Sequence, residues 1–227
     1  LIGRHLGDLG DVDILVFEPT TRYQNVAKRS GVQILTPARA LVAELVRRYW
    51  VLGIECSLLE VHKLVWLLQR RILALGLEDP LQLDFKAHKY GPYAHNLQHL
   101  LSDLDGSYLH CDKRLADASK GDVMWFDDDR RELVAAFLRS AAASKYQLAL
   151  EQTTELIDGF ESPLGMELLA TVDWLLSQEG IEPRVAAVQS ALAKWTGGTE
   201  AGQRKLALFD QRMITLALER LGNPAFA

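Results

Sequence analysis

From Thr36 onward, apolar residues recur at helical spacing in one segment after another, and this pattern constrains the fold more than any other feature of the sequence. Thr36-Pro37 is typical of a helix start, with an N-cap followed by proline at the first helical position. Ser57-x-x-Glu60 matches a capping box. The helix that it opens has an apolar face made of Leu58, Val61, Leu64, Val65, Leu68 and Ile72. The sequence therefore predicts a mainly α fold.

The remaining segments fill in this prediction. Helices are expected at about 36–53, 57–75, 94–104, 127–142, 145–157, 163–177, 184–195 and 200–221. Short extended segments are expected at 83–87, 108–110 and 123–126, and Lys89-Tyr90-Gly91-Pro92-Tyr93 is expected to form a turn after the first of them. The expected fold class is a multi-helix domain with a small β-sheet or hairpin.

The first 35 residues have a different pattern. Leu1–Leu9 is typical of the end of an amphipathic helix, and Asp13–Phe17 is typical of a buried strand in an α/β sheet. One helix and one strand cannot enclose a core, and the chain does not begin with Met. We therefore expect residues 1–20 to be the remnant of an α/β domain in a longer protein, residues 21–35 a linker, and residues 36–227 the helical domain.

Charge is unevenly distributed along the chain. The formal net charge is −5, yet Tyr146–Pro183 contains eight carboxylates and no Lys or Arg, whereas Arg22–Arg71 contains nine basic residues and three acidic ones. Solvated helices usually carry both signs of charge, so the acidic segment predicts either a solvated face or a negative surface for a basic partner. The eight carboxylates are Glu151, Glu155, Asp158, Glu161, Glu167, Asp173, Glu179 and Glu182.

Candidate metal ligands are few. His95 and His99 are four residues apart on a predicted helix, near His88, but they lack the glutamate of a His-Glu-x-x-His zinc site. Asp127–Asp129 has the oxygen ligands that magnesium prefers, but two arginines follow directly, and a charged helix start is favoured. We expect no metal.

No motif points to catalysis or to a cofactor. The sequence has neither a Gly-x-Ser-x-Gly elbow nor a phosphate-binding loop, so no catalytic residue and no cofactor are expected. Cys56 and Cys111 are expected to be free thiols in a reducing cytosol. No apolar run is long enough to cross a bilayer, and a cytoplasmic protein is expected.

Several blocks of sequence resemble a known family, over about residues 30–222. Leu35–Leu41, Phe85–Tyr93, Leu104–Leu109, Trp125–Asp129, Phe160–Glu167 and Ala170–Trp174 together resemble the C-terminal domain of DarG, the antitoxin of the DarT–DarG toxin–antitoxin system. Leu1–Pro19 resembles the closing helix and strand of a macrodomain. Lys63–Trp66 with Tyr90-Gly91-Pro92 is also similar to the Panacea-type antitoxin domain.

The resemblance implies a function. DarT uses NAD to ADP-ribosylate thymidine in single-stranded DNA, and DarG opposes it with a macrodomain that removes the modification and a C-terminal domain that binds the toxin. Because only the end of a macrodomain is expected here, the resemblance implies a toxin-binding domain without enzyme activity. The expected partner is a DarT-type toxin, with no direct binding of nucleic acid and no membrane association.

Mimicry of single-stranded DNA is the expected mode of inhibition. A toxin that holds single-stranded DNA should have a positive groove with aromatic platforms. Carboxylates of this chain would then replace phosphates, and its aromatic rings would replace bases. The residues expected to contact the toxin are Asp127, Asp128, Asp129, Glu151, Glu155, Asp158, Glu161, Tyr90 and Tyr93.

Two alternatives stay open. The first is a macrodomain ADP-ribosylglycohydrolase that reverses the ADP-ribosylation of DNA, an activity that would suit the longer protein. The second is a nucleic-acid-binding module whose basic residues contact phosphates. The arginines considered for it are Arg47, Arg48, Arg70 and Arg71.

Overall fold

In the computed structural model of the chain, residues 34–50 and 56–223 are described. They form nine α-helices and five short strands. The helices are α1 (Pro37–Tyr49), α2 (Leu58–Ala74), α3 (Leu97–Leu104), α4 (Arg131–Leu138), α5 (Gln147–Ile157), α6 (Pro163–Ser177), α7 (Val185–Leu192), α8 (Thr199–Leu208) and α9 (Gln211–Leu221). The strands are β1 (Cys56–Ser57), β2 (Phe85–His88), β3 (Gly91–Ala94), β4 (Leu109–Cys111) and β5 (Val123–Phe126).

The expected fold class is confirmed, because the described residues are mostly helical with small antiparallel sheets. The predicted macrodomain remnant at 1–20 and nearly all of the predicted linker at 21–35 lie outside the described residues. The predicted domain boundaries therefore stay a prediction.

Helix α2 lies at the centre of the domain. The capping box that the sequence predicts is formed: Ser57 Oγ accepts from the Glu60 amide at 3.4 Å, and the Glu60 side chain accepts from the Ser57 amide at 2.8 Å. The helix packs against α1, α5, α6 and β3, so it is buried along most of its length. A helix surrounded in this way also buries polar residues, among them Glu60, His62 and Lys63.

Helix α6 has the bounds that the sequence predicts. Ser162 Oγ accepts from the Gly165 amide at 3.0 Å, and Pro163 occupies the first helical position. The helix packs against α2, β3 and α9. Its carboxylates Glu167 and Asp173 are therefore carried into the core.

The strands form two separate antiparallel sheets. In the first sheet, β5 lies between β1 and β4, with Met124 opposite Cys56 and Phe126 opposite Leu109. In the second, β2 and β3 form a hairpin in which His88 is opposite Gly91. The turn predicted over Lys89–Tyr93 was thus wrong in extent, because only the first two residues form the turn and the rest belong to β3.

Three helix predictions were also wrong in extent, and the helix expected over 127–142 spans only Arg131–Leu138. The helix expected over 200–221 is two helices, because Asp210 Oδ1 accepts from the Met213 amide at 2.7 Å and caps a new helix, α9. The helix expected from about residue 94 begins at Leu97, since β3 continues to Ala94. His95 therefore precedes α3, and the expected helical pair of His95 and His99 does not form.

Two further expectations concern the chain's environment. Within 34–50 and 56–223, no helix combines the length and the apolar content that a membrane crossing requires. Cys56 and Cys111 are free thiols, as expected, and both are buried.

Candidate functional site

A cleft opens where the β2–β3 hairpin meets the starts of α2 and α6 and the end of α8, and we call it the Tyr90 cleft. Its outer chamber has a volume of about 560 Å³ and its inner chamber about 200 Å³, and the two share Leu59, Tyr90 and Lys120. The outer chamber is also lined by Ser57, Glu60, Gly121, Val123, Pro163, Leu164, Glu167, Arg204 and Leu208. The inner chamber is also lined by Leu58, His62, Lys63, His88, Tyr93, Gln98, Leu101 and Ala118.

Three cations lie near the ring of Tyr90, and two of them, Lys120 and Arg204, are within 5 Å of its centroid. The Nζ of Lys120 lies 4.1 Å from the ring centroid and donates a hydrogen bond to the Tyr90 hydroxyl. The guanidinium carbon of Arg204 lies 4.8 Å from the same centroid. The pKa of Tyr90 is lowered, chiefly by the hydrogen bond from Lys120. Tyr90 therefore lies in a positive environment.

Buried charges lie beside the outer chamber. Glu167 Oε1 accepts from Lys205 Nζ and from Arg204 Nη1, each at 2.6 Å. Glu167 and Lys205 are 2% and 0% exposed, so this pair is out of contact with water, whereas the Arg204 side chain is partly exposed. Burial lowers the pKa of Lys205, and the charge of Glu167 opposes that shift.

Lys63 brings a further amine to the inner chamber. Its Nζ donates to the Pro92 carbonyl at 2.6 Å, and the side chain is 1% exposed. Burial lowers the pKa of Lys63 to about 7; the nearby charge of Lys205 adds to the shift and that of Glu167 opposes it. The amine is therefore close to its titration midpoint at neutral pH.

His62 and Tyr93 form the opposite wall of the inner chamber. Their ring centroids are 4.3 Å apart and the rings are stacked, with an interplanar angle of 28°. His62 Nδ1 accepts from the Ala94 amide at 3.5 Å. Burial lowers the pKa of His62 to about 3, and the charge of Lys63 adds to the shift, so the imidazole is neutral at pH 7. Tyr93, an expected toxin contact, thus stacks on a ring of its own chain.

The acidic segment divides into exposed and buried carboxylates. Glu151 and Glu155 are exposed on α5, Asp158 is exposed just after it, and Glu161 is half-buried. Glu167 and Asp173 are in the core, so these two carboxylates belong neither to a solvated face nor to a negative surface. An unpaired buried carboxylate is costly, and Asp173 accordingly accepts from Trp66 Nε1 at 2.9 Å.

A short 3₁₀ helix, Asp128–Arg130, lies ahead of α4 with Asp127 as its N-cap, where the start of an α-helix was expected. Asp127 Oδ1 accepts from the Asp129 amide at 3.2 Å, and its other oxygen lies 3.3 Å from His110 Nε2. Asp128 is exposed and lines a cavity of about 260 Å³ with Arg47, Trp50 and Phe126. Within the described residues, no three His, Cys, Asp or Glu side chains are grouped closely enough to hold a metal ion.

The end of α1 lies between these two groups of acids. Arg47 lines the cavity with Asp128, and Arg48 Nη1 lies 3.4 Å from Thr154 Oγ1 on α5. Both arginines bond the carboxylate of Glu44 at 2.7 Å. The structure therefore brings the two acidic groups to the same helix end, with an arginine pair between them.

Of the four arginines considered for nucleic-acid binding, three are paired within the chain and the fourth, Arg71, is buried. Arg47 and Arg48 pair with Glu44, and Arg70 Nε lies 3.5 Å from Asp173 Oδ2. Arg71 is buried, and burial lowers its pKa. These contacts within the chain count against a basic face made for phosphates.

Comparison with known proteins places these features in a context. No family model matches the chain. A protein of Mycobacterium tuberculosis named DNA ADP-ribosyl glycohydrolase is 29% identical over 225 residues, and one of Thermus aquaticus with the same name is 34% identical over 221 residues. Each match covers 94% of this chain. The chain is related to these proteins.

The chain spans 60% of the mycobacterial relative and 54% of the Thermus relative. The expectation that it has no enzyme activity was wrong, because relatives that match nearly all of it carry the name of an enzyme. That expectation depended on the first 20 residues, which lie outside the described part. The predicted toxin contacts stay a prediction.

Proposed function

We propose that the chain acts in the removal of ADP-ribose from DNA, as the name of its relatives states for them. The observation that carries this proposal is the extent of the similarity, which covers 94% of the chain at 34% identity to the Thermus relative. A match of that extent includes most of the helical domain. The helical domain is therefore proposed to serve the same reaction.

The test is a direct assay of the reaction. A single-stranded oligonucleotide carrying ADP-ribose on thymidine is incubated with the chain, and released ADP-ribose is measured by liquid chromatography and mass spectrometry. We expect release above the rate in buffer alone. An oligonucleotide without the modification controls for contaminating nucleotide. Release equal to that in buffer contradicts the proposal for this chain.

A second function is supported by the acidic residues. We propose that the helical domain also binds a DarT-type DNA ADP-ribosyltransferase and covers its DNA site, with carboxylates in place of phosphates. The supporting observation is the position of Glu151, Glu155 and Asp158, which are exposed on and just after α5, a helix without Lys or Arg. Asp128 and Asp129 are exposed at the start of α4.

The aromatic part of the mimicry is less well supported than the acidic part. Tyr93 stacks on His62, and the ring of Tyr90 is held by Lys120 and Arg204. A ring beside two cations is poorly suited to enter a positive groove. The proposal therefore depends on the carboxylates, which would steer the toxin through long-range attraction.

Matched substitutions test this second function. We expect the triple variant Glu151→Gln, Glu155→Gln, Asp158→Asn to bind the toxin at least about tenfold more weakly, chiefly through slower association. The control variant Glu78→Gln, Glu182→Gln, Glu200→Gln removes the same charge from other exposed positions. An equal loss in both variants would show that net charge alone matters, and no loss in the first would contradict charge mimicry.

Salt gives an independent measurement. Attraction between exposed charges is screened, so the association rate of the wild-type pair should fall steeply between about 50 and 500 mM salt. The triple variant should show a shallower dependence than the control variant. A wild-type rate that is indifferent to salt would contradict the acidic surface.

A further inference from the structure

The inner chamber of the Tyr90 cleft takes its positive charge at neutral pH from Lys120 and from the partly protonated Lys63. Its charged and titratable lining consists of Lys63, Lys120, His62 and His88, together with the hydroxyls of Tyr90 and Tyr93, and none of the described residues that line it is a carboxylate. Lys120 is exposed at the entrance and makes no ion pair with a carboxylate of the described residues. A cleft lined by one sign of charge concentrates ligands of the opposite sign.

The two carboxylates of the outer chamber are already engaged. Glu60 accepts from the amide and the hydroxyl of Ser57 and from the hydroxyl of Tyr49. Glu167 is shared by Lys205 and Arg204. Glu60 is met only by neutral donors, and Lys205 is buried. The cations of the chamber that reach solvent are therefore Lys120 and the partly exposed Arg204, and they can meet an entering anion.

The positions of Lys120 and Arg204 fit two neighbouring anionic groups. Their charged ends lie 4.1 and 4.8 Å from the centroid of the same Tyr90 ring. A lysine and an arginine beside the same aromatic ring can contact adjoining phosphates, for which arginine is especially suited. The hydrogen bond from Lys120 and the contacts of both cations with the ring fix their positions at the cleft.

Apolar side chains complete the outer chamber. Leu59, Val123, Pro163, Leu164 and Leu208 line it, and Leu164 and Leu208 are exposed. Its volume of about 560 Å³ lies within the range of pockets that hold small molecules. An apolar wall beside a pair of cations suits a ligand with one apolar end and one end of high negative charge.

We propose that the Tyr90 cleft binds a nucleoside diphosphate, with Lys120 and Arg204 at the two phosphates and the nucleoside against Leu164 and Leu208. The diphosphate class follows from the cleft itself, whereas the choice of an adenosine ligand rests on the proposed function. The ligand is bound and positioned there without any covalent step. The cleft is thus a nucleotide site within the helical domain.

The experiment measures ADP binding by isothermal titration calorimetry with the full chain. We expect wild type to bind ADP, inorganic pyrophosphate to compete with it, and AMP to bind at least about tenfold more weakly. Lys120→Gln should weaken ADP binding about tenfold, and Lys120→Glu should weaken it further. The matched control is Lys86→Gln, an exposed lysine on β2 outside the cleft, which should leave affinity within about twofold.

Three results would overturn the inference. The first is absence of ADP binding to wild type at about 1 mM nucleotide. The second is an equal effect of Lys120→Gln and Lys86→Gln. The third is binding of a glutamate-rich peptide that depends on Lys120 while ADP does not bind, which would make the cleft a peptide site. Far-ultraviolet circular dichroism of each variant shows that it is folded.

The inference and the proposed function can fail separately. Lys120-dependent ADP binding without release of ADP-ribose from DNA would support the nucleotide site and contradict the hydrolase function. Release of ADP-ribose without ADP binding would support the hydrolase function and contradict the nucleotide site. ADP-ribose itself, titrated in parallel, tests the choice of adenosine ligand, because it should compete with ADP for the cleft and show the same dependence on Lys120.

Discussion

The Nζ of Lys205 lies 2.6 Å from Oε1 of Glu167, and neither residue is more than 2% exposed. Desolvation offsets much of the attraction in such a pair, so its net contribution to stability is small. Loss of one partner is different, because the other charge then stays buried without compensation. The pair also connects α6 to α8, and it lies next to the Tyr90 cleft.

Glu167→Gln should therefore destabilise the fold by about 3–5 kcal/mol, since it leaves Lys205 and Arg204 without their carboxylate. The measurement is urea unfolding at neutral pH. Glu155→Gln, at an exposed position on α5, is the control and should change the free energy of unfolding by about 0.5 kcal/mol or less. A similar loss in the free energy of unfolding for Glu167→Gln and Glu155→Gln would show that the buried pair is dispensable.

Lys63 should make stability rise with pH. Its pKa in the fold is about 7, against an ordinary value of 10.5, so between these values the unfolded chain binds more protons than the folded chain. The contribution of Lys63 to the free energy of unfolding therefore increases with pH across that window, by at most about 1.4 kcal/mol per pH unit. Lys63→Met should remove this increase.

The measurement compares urea unfolding of wild type and Lys63→Met at about pH 7 and about pH 9. The free energy of unfolding of wild type minus that of Lys63→Met should be larger at the higher pH. Lys86→Met, at an exposed lysine, should leave the wild-type pH dependence unchanged. Parallel pH profiles for wild type and Lys63→Met would contradict a lowered pKa.

His62 should make the fold sensitive to acid. Burial lowers its pKa to about 3 from an ordinary value of 6.5, so the unfolded chain binds the additional proton in that window and stability falls as the pH falls. His62→Gln retains an acceptor for the Ala94 amide and cannot be protonated there. It should show a smaller loss of stability between about pH 6.5 and 4 than wild type, whereas His99→Gln, at an exposed histidine, should match wild type.

The sequence predicts local structure well where local chemistry decides it. Helix α6 has the expected bounds because Ser162 and Pro163 mark its start unambiguously. The break between α8 and α9 could not be predicted from periodicity, since apolar spacing continues through Leu206 and Leu208. There the hydrogen bond from the Met213 amide to Asp210 ends one helix and starts another.

The site was harder to predict because its residues are distant in sequence. Trp66 and Asp173 bond across 107 positions, and Lys205 reaches Glu167 across 38. Helical spacing shows that a carboxylate lies on a face but not whether a cation from another helix meets it. Lys120 lies in a loop without any motif, and only its contact with Tyr90 places it at a cleft.

Gly91 is required by both its backbone and its neighbours. Its φ is +92°, a backbone conformation that residues with a Cβ rarely adopt. A Cβ added there would lie 2.9 Å from Thr171 Oγ1 and 3.5 Å from Lys63 Cε. Gly91→Ala should therefore cost about 2–4 kcal/mol, from left-handed strain together with overpacking in a buried site. Gly76→Ala is the matched control, because its φ is +66° and its Cβ would meet nothing within 4 Å.

Gly76→Ala should lower the free energy of unfolding by only about 1 kcal/mol, which is the strain of the left-handed backbone alone. Thermal and urea unfolding of both variants separate the two contributions, since the difference between them reports the crowding against Thr171 and Lys63. Gly91→Ala should also move the start of β3, and with it the Pro92 carbonyl to which Lys63 donates. If the two variants lose the same stability, the close packing of the hairpin on α2 and α6 contributes nothing at this position.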